Sequence, residues 1–182
     1  KYILSSFNNY NNFIQASLSP IGYYTITKII ECIPFQFRNE FNLIFISSIG
    51  IISKEKYGVL VAKKFIGCNK SENINLLVMD FVRKNFMNLA VDEYANYLIQ
   101  FLLKTWNNTP EGNEIKEFIF KHFQEMCKKK YSSFICELFI EIISTEEKIK
   151  LIKTLDLGYL LKSKNEHVMK IMKALGLNNY ND

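Results

Sequence analysis

Apolar residues recur along this chain at helical spacing, in long stretches broken by short polar joints. One stripe runs through Ile74, Leu77, Val78 and Phe81, another through Ile115, Phe118, Ile119 and Phe123. Positions three and four apart share one face of a helix, so each stripe predicts an amphipathic helix with one buried side. Start signals precede such runs at Ser71, at Thr109-Pro110, and at Ser144 with Glu147. Ser or Thr at the N-cap accepts a bond from a free helix N–H, Pro suits the first helical position, and Glu three residues on completes a capping box.

The helices repeat. A small residue opens an apolar helical run in Ile21-Gly22-Tyr23-Tyr24, in Tyr57-Gly58-Val59-Leu60, in Tyr94-Ala95-Asn96-Tyr97, and in Tyr131-Ser132-Ser133-Phe134. A fifth, degenerate member is centred near 166, in Asn165-Glu166-His167-Val168. We call the small residue the slot, s. It falls at 22, 58, 95, 132 and 166, with spacings of 36, 37, 37 and 34. Cys32 and Cys68 keep the same phase, ten residues after their glycines, and the start signals follow their slots by twelve to fourteen. Each unit therefore reads as a slot-bearing helix, a short turn and a second long helix. Such a unit cannot bury its apolar face alone, and stacking on its neighbours buries it. The expected fold is all-α, an α-solenoid of about five helical repeats.

Composition agrees. Of the 182 residues, 48% are apolar and 23% charged, enough to build a core and too apolar for disorder. Seven Gly and three Pro leave few turn-formers, which fits long helices. No apolar run reaches the roughly 18 residues of a membrane span, so no membrane partner is expected. The chain opens on Lys1 rather than Met, and we expect an array cut on its N-terminal side. The net charge of +5 permits an anionic partner without pointing to one. Twenty-one of 23 basic residues are Lys, beside abundant Asn and Ile. A coding bias toward A/T-rich codons would inflate all three together, so the lysines and the Asn8, Asn9, Asn11, Asn12 opening carry little weight.

Reactive chemistry is sparse. Cys32, Cys68, Cys127 and Cys136 show no C-x-x-C spacing, and only His122 and His167 could join them at a metal. All sit among helical apolar residues, so buried thiols are expected rather than a metal site or disulfide framework. Glycine loops for phosphate, G-x-S-x-G and H-E-x-x-H are missing. Glu146–Glu147 lies at a helix start and reads as capping. No enzyme activity, cofactor or metal is expected.

The slot helices carry the informative pattern. Positions s+1, s+2 and s+5 share a face. They are Asn96, Tyr97 and Gln100 in the third repeat, and Ser133, Phe134 and Glu137 in the fourth. Leu98, Ile99, Ile135 and Cys136, between them, are expected in the core. Polar pairs at fixed offsets around an aromatic suit single-stranded RNA, whose bases stack on aromatics while side chains bond their Watson–Crick edges.

Those residues resemble the Pumilio/PUF RNA-binding repeats. Tyr94-Ala95-Asn96-Tyr97-Leu98-Ile99-Gln100 is similar to the family's Y-G/A-N-Y-V-I-Q, and Lys130-Tyr131-Ser132-Ser133-Phe134-Ile135-Cys136-Glu137 to its K-F-A-S-N-V-V-E. Lys28-Ile29-Ile30-Glu31-Cys32-Ile33 resembles a K-C-I-E-C-V stretch of an earlier repeat. The resemblance covers the chain from about Ser19, and implies that 1–182 is a partial Pumilio homology domain, the last five repeats of a right-handed α-α superhelix. It implies that Asn96 and Gln100 read uracil with Tyr97 stacking, and that Ser133 and Glu137 read guanine with Phe134 in place of the usual Asn. Chemistry agrees: guanine shows two adjacent donors, and an ionised Glu only accepts, whereas amides match uracil's mixed edge. RNA bound antiparallel, as in the family, would read 5′-G-U-3′, the heart of a UGU element. The resemblance further implies a cytoplasmic monomer acting on messenger RNA 3′ untranslated regions, repressing translation or recruiting decay factors, with protein corepressors near Ser144 to Lys164.

Other repeats depart from the pattern. The second offers Val59, Leu60 and Lys63, of which only Lys63 could reach a phosphate or a carbonyl. The first offers Tyr23, Tyr24 and Thr27, suited to stacking but ambiguous in base choice. The last offers His167, Val168 and Ile171, which assign no base. Lys28 and Lys64 are candidate phosphate contacts, and Trp106 reads as packing. Two other functions fit the period: a divergent PUF-like nucleolar protein of ribosome biogenesis with little sequence choice, and a protein-binding α-solenoid. Polar Asn178 to Asp182 reads as a C-terminal cap, while the N-terminal end shows no clear one.

Overall fold

A computed structural model describes residues 9–34, 37–69 and 71–177. Every regular element among them is a helix. The chain divides into two compact units, one of Lys1–Leu89 with Glu93–Phe101, the other of Ala90–Asp92 with Leu102–Asp182.

In the first unit α1 (Tyr10–Leu18) packs on α2 (Gly22–Cys32) and α3 (Arg38–Ile52), and α4 (Gly58–Cys68) packs on α2 and α3. Helices one repeat apart thus lie side by side, α1 with α3 and α2 with α4. Aromatic rings fill the space between: Phe45 stacks on Phe65 at 3.7 Å between centroids, Phe41 lies 6.0 Å from Phe65, and Phe13 meets Phe41 edge-on at 5.4 Å. Each such pair adds about 0.5–1.5 kcal/mol to the burial of its rings. Beyond them run α5 (Glu72–Ala90) and the start of α6 (Asn96–Thr105). On α5 the buried stripe is Ile74, Val78, Val82 and Phe86, while Leu77 is 46% exposed. The expected stripe was therefore rotated by one position. Spacing of three and four fits both 74-77-81 and 74-78-82, and packing selects the second.

The second unit holds α7 (Pro110–Met126), α8 (Lys130–Ile142), α9 (Thr145–Thr154), the short α10 (Leu157–Leu160) and α11 (Glu166–Ala174). Helix α8 packs on both α7 and α11. Ile115, Ile119, Phe123 and Cys136 are fully buried, and Trp106 is 6% exposed, a packing residue as read. The expected caps form. Thr109 Oγ1 accepts from Gly112 N ahead of Pro110, and Ser144 and Glu147 close a reciprocal capping box at 3.2 and 2.7 Å. The stretch from Ser144 to Lys164 is mostly α9 and α10, not an open loop.

One joint recurs. The N–H at s−3 donates to the carbonyl at s−6 in Ser19 to Ala16, Glu55 to Ile52, Lys129 to Met126 and Ser163 to Leu160, at 3.1 to 3.3 Å. That carbonyl then faces the slot. A Cβ on Gly22 would stand 2.5 Å from Ala16 O, and one on Gly58 would overlap Ile52 O. Ser132 uses the approach instead, its Oγ donating to Met126 O at 2.7 Å. The slot is small because the preceding helix ends against it. Glu166 breaks the rule: its side chain stands 77% exposed at the start of α11.

Two expectations change. Asn9 caps α1, its side chain accepting from Asn11 N, so part of the Asn-rich opening has a structural role. Cys127 and Cys136 are buried, but Cys32 and Cys68 are exposed, because s+10 lies at the last turn of its helix, where packing ends. The expected cap at Asn178 to Asp182, like Asn8, lies outside the described residues. Among those residues no His, Cys, Asp and Glu converge as a metal site, and no helix is long and apolar enough to cross a membrane.

Candidate nucleic-acid interface

The slot helices α2, α4, α6 and α8 share one pattern of exposure. At s+2 each shows a large apolar side chain: Tyr24 at 63%, Leu60 at 40%, Tyr97 at 49% and Phe134 at 41%. At s+5 each shows a half-buried polar group, Thr27, Lys63, Gln100 and Glu137. Large exposed apolar groups cost solvation, and their recurrence at one register marks the slot helices of each unit as built for contact. Leu98, Ile99, Ile135 and Cys136 are fully buried, as expected.

Position s+1 differs from its expectation. Asn96 is 1% exposed and Ser133 wholly buried. Both side chains turn to the same backbone position, the carbonyl at s−2: Asn96 Nδ2 donates to Glu93 O at 2.8 Å, and Ser133 Oγ to Lys130 O at 2.7 Å. Helical spacing gave the angle of s+1, but not its depth at the edge of the core. In the third repeat Asn96 also holds its neighbour, since Gln100 Nε2 donates to Asn96 Oδ1 at 2.8 Å. Gln100 keeps its own carbonyl and its second N–H for anything that approaches from solvent.

The first repeat is aromatic throughout. Tyr23 stacks on Tyr57 at 5.1 Å and lies 4.1 Å from Tyr24. Hydrogen bonding with Tyr24, with some desolvation, pushes the Tyr23 hydroxyl up to about 12, so it stays a neutral phenol. Thr27 Oγ1 donates to its own helix at Tyr24 O. In the second repeat Val59 is buried, and the Lys63 ammonium lies 5.9 Å from the Phe101 ring.

Lys28 and Lys64 are not the open phosphate contacts that their positions suggested. Both reach Glu31, at 2.7 and 2.5 Å. Hydrogen bonds from Lys28 and then Lys64 hold the Glu31 carboxyl down at about 2. In the fifth repeat Val168 and Ile171 are fully buried, so s+2 and s+5 of α11 belong to the core. His167 is 18% exposed at its side chain and lies 3.7 Å from Glu166.

No protein-family model matches the sequence, and no characterised protein matches it significantly. Solved structures do. PUF-8 in complex with PBE-RNA superposes with a TM-score of 0.82 at 19% identity, over 96% of this chain and 52% of that one. This is the fold of the PUF RNA-binding domains. The Puf4 RNA-binding domain bound to the HO endonuclease RNA 3′ UTR recognition sequence gives 0.78 at 18% identity, covering 96% and 55%. The PUM-HD domain of S. pombe Puf1 in complex with RNA gives 0.75 at 16%, covering 97% and 51%. The chain spans about half the length of these PUF domains. At such identities the likeness lies in the backbone, and which side chains act must be argued from this chain.

Proposed function

We propose that this chain binds single-stranded RNA sequence-selectively, through a UGU-type element in messenger RNA 3′ untranslated regions. One observation carries the reading: an exposed apolar platform at s+2 and a half-buried polar group at s+5 recur on four slot helices of a PUF fold. Bases stack on the aromatic platforms, Tyr24, Tyr97 and Phe134, for about 1–3 kcal/mol each. The s+5 group meets the base edge. Glu137 accepts guanine's two donors, and Gln100, held by Asn96, meets uracil's mixed edge. Asn96 and Ser133 act from beneath, as supports. The solved PUF domains were captured with RNA, which supports the same partner here. Binding of this kind would serve translational repression or transcript decay in the cytoplasm, by a monomer that recruits corepressors.

The test compares a short UGU RNA with the same RNA carrying another base for G. Equal affinity overturns the guanine assignment. Equal, salt-sensitive binding to every RNA would favour the low-selectivity nucleolar reading, and no RNA binding the protein-binding solenoid. A stricter test installs the third repeat's pair in the fourth, Ser133→Asn with Glu137→Gln. Both s+1 side chains already use the s−2 carbonyl, so the exchange keeps the local anchor and should move preference from G to U.

A further inference from the structure

In the second unit a cavity of about 660 Å³ opens between α11 and the turn that leads into it. Four lysines line it, Lys162 and Lys164 from the turn and Lys170 and Lys173 from the helix, over an apolar floor that includes Leu160 and Met172. None of the described lining residues is acidic. We propose that this cavity binds a small molecule with two phosphate groups and an apolar or aromatic body, of which a nucleoside diphosphate is the simplest example.

Charge carries the argument. Where lysines of this chain meet carboxylates they bond them, as Lys64 does Glu31 and Lys129 does Glu125. None of the four cavity lysines pairs with a described carboxylate. The one acid of α11, Glu166, lies 3.7 Å from His167 and does not line the cavity. Cations gathered round a concave surface repel one another and raise the local concentration of anions. A phosphate group carries about −1.5 to −2 near neutral pH, so two of them balance three to four ammonium groups. An ammonium has three donors and no acceptor, which suits phosphate oxygens.

The walls are held in place before any ligand arrives. Ser163 N donates to Leu160 O at 3.1 Å, Ser163 Oγ accepts from Asn165 N at 3.2 Å, and Asn165 Nδ2 donates to Lys128 O at 2.9 Å. Lys162 and Lys164 thus stand on a turn pinned at both ends. Lys170 and Lys173 are three apart and share a face of α11. The first N–H groups of that helix are not part of the site, since Asn165 Oδ1 accepts from His167 N and Val168 N. Leu160 and Met172 belong to the buried core, so the floor is its edge. A cavity of this size, apolar below with a few convergent polar groups, is the usual form of a small-molecule site. All four lysines fall outside the offsets s+1, s+2 and s+5, and α11 buries its own s+2 and s+5 side chains. The inference therefore stands apart from base reading.

Titration calorimetry on the full chain tests this with ADP and with pyrophosphate as probes. ADP should bind one molecule per chain, weaken with added salt, and bind about 5- to 30-fold tighter than pyrophosphate, because its ring uses the floor. Lys164→Gln with Lys170→Gln, one from each wall, should weaken ADP about tenfold or more. Lys121→Gln with Lys150→Gln removes the same charge from exposed positions of the same unit and should leave ADP binding unchanged. A thermal melt of each variant confirms folding. Failure of both probes to bind overturns the proposal. So does an equal loss in the two variant pairs, which would make the attraction one of net charge, and so does equal affinity for ADP and pyrophosphate, which would leave the floor without a role. Displacement of ADP by a single-stranded RNA lacking UGU would assign the lysines to nucleic-acid phosphates and overturn it as well.

Discussion

Gln100 lies one helical turn after Asn96 and donates to its Oδ1 at 2.8 Å. The reading side chain is thus held before any base arrives, which lowers the ordering cost of binding. Asn96→Ala should weaken binding of a UGU RNA by about 1–2 kcal/mol, although Asn96 is nearly buried. Gln100→Ala should cost a similar amount, and the double variant little more than either. Fluorescence anisotropy on the four chains checks this; additive losses would show that Asn96 does not act through Gln100.

The joint between helices makes its own prediction. Gly58→Ala would drive a Cβ into Ile52 O and should destabilise the chain by about 1–3 kcal/mol. Gly50 lies in the last turn of α3, where a Cβ would meet only Phe81 at 3.6 Å. Gly50→Ala should therefore stabilise by about 0.5–1 kcal/mol through helix propensity. Opposite shifts in melting temperature are expected, and shifts of the same sign would refute the steric account.

Glu31 gives a pH signature. Its carboxyl lies near 2 in the folded chain, against an ordinary value of 4.5. A depressed carboxylate stabilises fully above its unfolded value and loses that contribution as pH falls through the folded one. The stability gap between wild type and Glu31→Gln should hold steady above about pH 5 and close between 4.5 and 2. The pair is partly exposed, so the gap should also shrink with added salt. A gap that widens on acidification would contradict the ion-pair assignment.

Thiol reactivity should split evenly. Cys32 and Cys68 are exposed. Burial pushes the Cys127 thiol up to about 11 and Cys136 well above its ordinary value. Since thiolates react and thiols do not, a disulfide reagent should titrate two groups quickly in the native chain and the other two only after denaturation. Rapid reaction of all four would mean that the second unit opens readily.

The fold was legible because its signals are local. Caps at Thr109 and Ser144 and the small slot residues each constrain a few adjacent positions, and their recurrence does the rest. The platforms at Tyr97 and Phe134 were legible for the same reason, as fixed offsets on a helix. What escaped depends on partners distant in sequence or on depth. The pairing of Glu31 with Lys64 joins two successive repeats, and no spacing rule announces it. The burial of Asn96 and Ser133, and the exposure of Leu77, depend on how far the core reaches around a helix. Periodicity gives direction around the axis and says little of that reach.

Ahead of Gly22 and Gly58 the joint from s−3 to s−6 uses only backbone groups plus the absence of a large side chain. It asks nothing of the sequence elsewhere in the repeat. A duplicated segment of one full period would therefore arrive with its own donor, its own acceptor and its own empty place for the next helix end. A segment that lost this phase would set a bulky side chain where the carbonyl must pass. Growth by whole copies is open to such a chain and growth by fragments is closed, so its length can change without a new folding problem being solved each time.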